Sequence, residues 1–379
     1  MSEKIILVTA GGDIASFHAG MRRMHQVLES EATGRFELVG ANGGLQGLIK
    51  GDFIPILKCH LEDNKAGSLI GADREIADTS KIKRVMNNNN IYAVIMMGGD
   101  NHLREASRLF YSGVNIVGYP KTMDWDLSSF LTCGAPAAVS VGARRTKNHY
   151  NTAITGRRVF YVGLFGRDAD HLLCGVAAYG TNDIAIPCER EYHIKEIIKK
   201  VKDNVRRNKK RFGVEFAVVP FSEGARIRGV NAPPKEHYRE DKHGQPKLIP
   251  EWIGMELVRL SEEAGIKSCF QCHTYDLRDS NPTAADKKLS RMASEECIRM
   301  ILEGDFGKCS VFAPNGNGSY RVERDDLGRV TAKRYLRPTG YFDYEKLRPT
   351  QLFFDVHRGL FGERPGEDEF VYKNMKKLN

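Results

Sequence analysis

Two aspartates separated by one residue stand in the segment Lys121-Thr122-Met123-Asp124-Trp125-Asp126, just after an apolar run, Val114 to Val117. Such a run is expected to be a strand. In extended backbone, residues two apart project from one face, so both carboxylates would point to one place. A carboxylate there can accept the proton of a hydroxyl, and a second can orient a metal ion. Phosphoryl transfer to an alcohol needs both, together with cations that hold phosphate oxygens. Lys121, Arg74, Arg158, Arg167 and Arg278 supply candidate cations beside loops. The plain alternative makes both aspartates solvated turn residues. Two further segments, Ala10-Gly11-Gly12-Asp13 and Gly98-Gly99-Asp100, each close an apolar run and open a helical pattern. A turn of this kind aims backbone N–H groups at one point and lets an anion approach without a Cβ in the way. Either turn alone is equally a structural device.

These loops require a frame. Ile5 to Val8, Ile91 to Met97 and Val114 to Val117 read as buried strands, and helical patterns follow the first two, through Met21, Met24, Val27 and Leu28 and through Leu103, Ala106, Leu109 and Phe110. Strand, glycine-rich turn and helix in repetition imply a parallel sheet with helices on both faces, which binds ligands at the carboxyl ends of its strands. The style recurs in Val159 to Phe165, Asp183 to Ile186, Gly213 to Pro220 and Lys267 to Cys272, each read as a strand. Lys235 to Lys247 looks like a surface excursion. The expectation is an α/β protein of two doubly wound domains with largely parallel sheets. Residues 1–140 would carry the donor and metal loops, 141–313 much of the acceptor pocket, and 314–379 an extension packing on the first domain.

A chain of 379 residues, 41% hydrophobic, has room for two cores. No run of about 18 apolar residues suggests a membrane span. The first residues enter an apolar run without the features of a secretory leader, and the expected location is the cytoplasm. The net charge of +9 suits anionic ligands. Its densest part, Lys199, Lys200, Lys202, Arg206, Arg207, Lys209, Lys210 and Arg211, reads as the solvated face of a helix. Nucleic acid is ranked last among partners, because no aromatic platform accompanies those charges. Cys269-Phe-Gln-Cys272-His273 has haem-attachment spacing, but with no export signal and no second ligand pair it reads as a mostly buried strand.

The ordered set Ala10-Gly11-Gly12-Asp13, Gly71-Ala72-Asp73-Arg74, Gly98-Gly99-Asp100, Pro120-Lys121-Thr122-Met123-Asp124-Trp125-Asp126, Phe165-Gly166-Arg167, Ser222-Glu223-Gly224-Ala225 and Leu277-Arg278 with Pro282 resembles the phosphofructokinase family, from about Ile5 to Val311. The resemblance implies roles. Asp124 would take the proton from the 1-hydroxyl of a sugar phosphate, with Thr122 beside it holding the transferring group. Asp100 and Asp126 would surround Mg²⁺. Gly11, Gly12 and Arg74 would meet the donor, with Asn101 and Lys121. Phe165, Gly166, Arg167, Glu223, Tyr275 and Arg278 would form the acceptor pocket, Arg167 and Lys121 also serving the catalytic set. Arg158 would reach the sugar phosphate in a neighbouring subunit, which implies a homodimer or homotetramer with shared active sites.

Donor choice in that family turns on two positions. ATP users generally have glycine after Gly-Gly-Asp; pyrophosphate users have aspartate there and a lysine before Thr-x-Asp. Here they are Asn101 and Lys121. Asparagine is nearly the size of aspartate, and Leu45 stands where many ATP users carry an aromatic residue, so pyrophosphate is favoured and ATP is the alternative. Other positions depart from the family pattern: Trp125 between the aspartates, Gly134-Ala135-Pro136-Ala137-Ala138, Phe165, Tyr275, and Cys269 in place of a second cation from the neighbour. The acceptor is therefore expected to be fructose 6-phosphate or a related phosphorylated ketose such as sedoheptulose 7-phosphate. A non-catalytic sugar-phosphate binder is the other alternative, against which Asp124, Asp126 and Thr122 argue.

Overall fold

Ile5, Ile6, Leu7 and Val8 are all fully buried in β1 (Glu3–Thr9). A strand apolar on both faces belongs inside a parallel sheet covered on both sides, and that is where it lies. In the computed structural model, which describes residues 2–242, 244–316 and 318–371, β1 pairs in parallel with β2 (Phe36–Ala41) on one side. β2 carries the short antiparallel β3 (Phe53–Pro55). On the other side β1 pairs with β4 (Ile91–Gly98), and β4 with β5 (Ile116–Thr122), both parallel. Beyond β5 the chain returns with the parallel strand Lys308–Pro314, and the antiparallel Tyr320–Asp326 closes that edge.

The chain divides into two compact units, though not at the consecutive boundaries expected from sequence. The first takes the chain up to Ala137, with Lys242–Gln245 and Arg278–Arg334; the second takes Ala138–Asp241, Pro246–Leu277 and the chain from Tyr335 on. Packing explains why residues from 278 onward join the first unit. The helix Ala284–Glu303, opened by a Thr283–Asp286 capping box, lies against the helix Phe17–Glu31. The two approach so closely at Gly20 that a Cβ there would sit 2.6 Å from Ser290 Oγ. Ser290 donates to Ser16 O at 2.7 Å, and Tyr119 from β5 pairs with the same hydroxyl at 2.7 Å. Residues 314–334 stay with this unit, whereas the chain from Tyr335 does not.

The second unit is built on three parallel strands in the order Ser268–His273, Val159–Leu164, Ala217–Ser222. Cys269 and Cys272 are half-buried rather than buried, because theirs is an edge strand. The expected strand at Asp183 to Ile186 does not form; only a single bridge, Ile186 to Phe221, remains. The buried Asp183 carboxylate takes the bonds instead, accepting from Val218 N at 2.9 Å, Tyr150 OH at 2.9 Å and Asn208 Nδ2 at 3.0 Å. A second buried carboxylate fixes the tail to this unit. Asp170 accepts from Cys188 N, Glu189 N and the Tyr344 hydroxyl, while Glu189 accepts from Leu336 N and Arg337 N. The basic helix Ile194–Phe212 buries Ile194, Ile197, Val201 and Phe212 and leaves Lys199, Arg206, Lys209 and Lys210 exposed, as a solvated face should.

Candidate active site

β1, β4 and β5 are neighbours, so their carboxyl ends lie side by side. Three loops therefore meet in the first unit: Ala10–Asp13, Gly98–Asn101 at the start of the helix Asp100–Tyr111, and Met123–Phe130. A fourth joins them through Asp73, whose carbonyl accepts from Gly11 N at 2.7 Å and whose carboxylate accepts from Leu45 N at 3.0 Å and Gln46 N at 2.7 Å. Asp73 thus caps the helix Leu45–Lys50 while tying the Arg74 loop to the first glycine turn. Leu45 itself is fully buried in the core of this unit, so it lines no donor surface, and its bearing on donor choice falls away.

Lys121 lies within β5, not in a loop, and is buried. Its amine donates to Ala10 O at 2.6 Å and to Gly12 O. Burial, chiefly, and the neighbouring Arg278 charge push it down to about 7, with Asp13 pulling the other way, Arg74 adding to the depression and Asp124 opposing it. Both glycines of the first turn are explained by these cations. Gly11 has φ +82°, and a Cβ there would sit 3.1 Å from Lys121 Nζ; a Cβ on Gly12 would meet the Arg278 guanidinium at 2.5 Å. Arg278 also reaches Met123 Sδ at 3.2 Å. Gly11, Gly12, Arg74, Lys121 and Arg278 thus form one electropositive cluster.

The paired aspartates differ from expectation. The segment between them is not extended, because Trp125 adopts φ +59° and is fully buried, its indole N–H donating to Phe130 O at 2.7 Å. A tryptophan turned inward adds no bulk to an acceptor pocket, which removes one reason for expecting an unusual sugar. Asp124 N donates to Thr122 Oγ1 at 3.1 Å, so Thr122 and Asp124 are set together, and Thr132 Oγ1 fixes Thr122 O at 2.7 Å. Asp126 is buried; burial, then the Asp124 charge, raises its carboxyl to about 6, although a nearby lysine pulls it down.

That lysine, Lys333, has no counterpart among the residues singled out from sequence. Its ammonium lies 2.9 Å from Asp126 Oδ2 and 3.5 Å from Asp100 Oδ2. The two aspartates named as metal ligands are thus brought within reach of one cation. They offer hard anionic oxygens, the donor set that Mg²⁺ takes together with water and phosphate, so the residues present fit that ion. Asn101, next to Asp100, accepts at 3.4 Å from Arg104 and at 3.4 Å from Gln245.

In the second unit the three parallel strands likewise bring their carboxyl ends to one edge. Glu223 N donates to Leu164 O at 2.8 Å and Gly224 N to Gly166 O at 3.1 Å, stitching the Phe165–Arg167 and Ser222–Gly224 loops together. Gly166 has φ +135°, and a Cβ on Gly224 would fall 1.9 Å from Arg167 O. Tyr275, mostly exposed, meets Phe165 edge to face with ring centres 6.1 Å apart. Phe165, Gly166, Arg167, Glu223 and Tyr275 therefore cluster. Arg158 does not join them. It precedes the strand that Phe165 follows, and a six-residue strand separates its ends by about 20 Å. There it lines a pocket of about 710 Å³ with Asn151, Thr155, Arg157 and Lys267.

A family model described as phosphofructokinase matches residues 4–301. An ATP-dependent 6-phosphofructokinase of Ligilactobacillus salivarius is 29% identical over 80% of this chain and 88% of its own length. A pyrophosphate–fructose 6-phosphate 1-phosphotransferase of Amycolatopsis methanolica is 26% identical over 93% of this chain and 99% of its own. Among solved structures, a pyrophosphate-dependent phosphofructokinase from Nitrosospira multiformis superposes with a TM-score of 0.78 at 15% identity, covering 99% of this chain and 95% of that one, a likeness of fold. The chain belongs to the phosphofructokinase family. It is accordingly a phosphotransferase, with the α/β architecture of that family. No helix among the described residues is long and apolar enough to cross a membrane.

Proposed function

We propose that the protein transfers a phosphoryl group from pyrophosphate to the 1-hydroxyl of fructose 6-phosphate or a related sugar phosphate. The observation that carries this reading is Lys121, buried beneath the first glycine turn and bonded to Ala10 O and Gly12 O. A cation at that depth supports a small, dense anion gathered close to the sheet edge. Gly11 and Gly12 leave room for it, and Arg74 adds charge. Asn101 holds the position after Gly-Gly-Asp with a side chain already engaged by Arg104 and Gln245, which narrows the space a nucleotide α-phosphate would need.

Asp124 is assigned as the base, accepting the sugar hydroxyl proton, and Thr122, hydrogen-bonded to it, holds the moving group. Asp100 and Asp126 would hold Mg²⁺, which when bound neutralises phosphate charge. Phe165, Gly166, Arg167, Glu223, Tyr275 and Arg278 are assigned to the acceptor. Arg158, remote from that cluster along its strand, is assigned to the acceptor phosphate of a neighbouring subunit, so a dimer or tetramer with shared sites belongs to the reading. Cys269 lies where a second such cation is expected and leaves the acceptor phosphate less tightly held. The cytoplasm is the expected compartment.

ATP is the second reading. Relatives named for either donor resemble this chain to a similar degree, 29% and 26% identity. A matrix of donors (pyrophosphate, ATP) against acceptors (fructose 6-phosphate, sedoheptulose 7-phosphate), with and without Mg²⁺, tests the proposal. Turnover with pyrophosphate and Mg²⁺ at least tenfold above that with ATP is expected. Faster turnover with ATP would overturn the donor assignment, and turnover undiminished by chelation would overturn the metal assignment.

A further inference from the structure

The segment after the short helix Leu327–Val330 is clamped to the loop that bears Asp126. Ser128 N donates to Val330 O at 3.0 Å, and Arg334 N donates to Asp126 O at 2.8 Å. The Arg334 guanidinium adds bonds to Ser129 O at 2.7 Å and Phe130 O at 2.9 Å. Between these anchors stands Lys333, whose ammonium lies 2.9 Å from Asp126 Oδ2 and 3.5 Å from Asp100 Oδ2. One protein cation is hydrogen-bonded to Asp126 Oδ2 and ion-paired with Asp100 Oδ2, so a divalent ion cannot take those two oxygens without moving it. This goes beyond a surface ion pair, because Asp126 is buried and Lys333 is held by backbone on both sides.

We propose that Lys333 is the resident counter-ion of the Asp100–Asp126 pair, which a divalent ion must displace, so that metal alone binds weakly and binds well only with a phosphate donor. The inference rests on the reading of Asp100 and Asp126 as the metal ligands. Two features favour exchange over a purely structural role. The lysine is a quarter exposed at its side chain, so the ammonium can swing towards solvent or an arriving phosphate oxygen. Arg334 fastens the segment through its bonds to Asp126 O, Ser129 O and Phe130 O. A lysine that merely neutralised buried charge would need no such freedom. Lys333 is thus a positioning residue that couples metal loading to arrival of the second anion.

The test uses Mn²⁺ as probe ion on the full chain without any donor, with bound metal counted by electron paramagnetic resonance. Lys333→Met should bind Mn²⁺ on the order of tenfold or more tightly than the parent, since a unit positive charge a few ångströms away is gone. Lys333→Arg should behave like the parent. Pyrophosphate should tighten Mn²⁺ binding several-fold in the parent and far less in Lys333→Met. Equal or weaker Mn²⁺ affinity in a folded Lys333→Met overturns the proposal. If that variant does not fold, the parent decides: saturating Mn²⁺ should speed reductive methylation of Lys333, read by peptide mass, and an unchanged rate overturns it. Asp126→Asn in the Lys333→Met background separates the two readings. Loss of Mn²⁺ binding upholds the ligand assignment, whereas retained binding refutes that assignment and, with it, the exchange.

Discussion

In the proposed function Asp124 and Lys121 carry the chemistry, and each makes a prediction of its own. Asp124→Asn keeps the size and the backbone bond to Thr122 but cannot take a proton. Turnover should fall about 10²-fold or more with little change in acceptor KM, and steady-state kinetics at saturating donor would show it; full activity would discard Asp124 as the base. Lys121 is depressed to about 7 by burial and by its cationic neighbours. At pH 8 most molecules would hold it neutral, with both hydrogen bonds to Ala10 O and Gly12 O still made by the amine. An anion settling above it restores the charged form, so pyrophosphate binding at pH 8 should take up protons, measured as a dependence of calorimetric heat on buffer ionisation. The sign for stability follows from the same shift. Between about 7 and the unfolded value of about 10.5, the unfolded chain holds more protons, so this lysine makes stability rise with pH across that window. Denaturant titrations of Lys121→Met should lack that rise. Thr122, Asp124, Gly11 and Gly12 were legible in the sequence as candidates, because residue type and spacing mark them out. Lys333 was not, since its partners lie more than 200 residues away and its neighbours in sequence are an ordinary polar stretch.

Strands and turns place these groups, and glycine is the sensitive point. Gly224→Ala would press a methyl to 1.9 Å from Arg167 O, a clash that only backbone movement relieves. The variant should lose ~2 kcal/mol or more of stability and bind acceptor poorly, visible together in thermal melts and KM. Gly11→Ala should be milder in stability, roughly 1 kcal/mol for the left-handed backbone, yet should raise donor KM because the methyl meets Lys121 Nζ at 3.1 Å. The apolar runs announced β1 and β4 and most of the second sheet, because a strand buried on both faces has to be continuous in hydrophobicity. They failed at Asp183, where a carboxylate supplies the acceptors a strand neighbour would have offered, and at Trp125, where a left-handed residue breaks the alternation that the aspartate pair had suggested. Neither event leaves a local composition signal.

At the scale of the molecule, Arg158 lies about one strand length from the residues it is expected to serve, so any single chain should lack part of its own acceptor site. Arg158→Ala should raise acceptor KM while leaving the donor side intact. Assayed at acceptor far below the raised KM, Asp124→Asn and Arg158→Ala chains mixed unfolded and refolded together should recover part of the activity each has lost, since some sites would then draw intact residues from both. No recovery would argue against sharing. The unit boundaries were the least legible part of the sequence, because they follow from how distant helices and strands pack rather than from any linker. The first sheet shows what that costs in time. Apart from the pairing of Lys121 and Thr122 with Cys133 and Gly134, β5 receives its outer neighbour from Lys308–Pro314, so during synthesis on a ribosome most of its edge stays open for about ten to forty seconds at ordinary elongation rates. A nascent chain of this design must therefore be guarded by chaperones until Lys308–Pro314 has emerged.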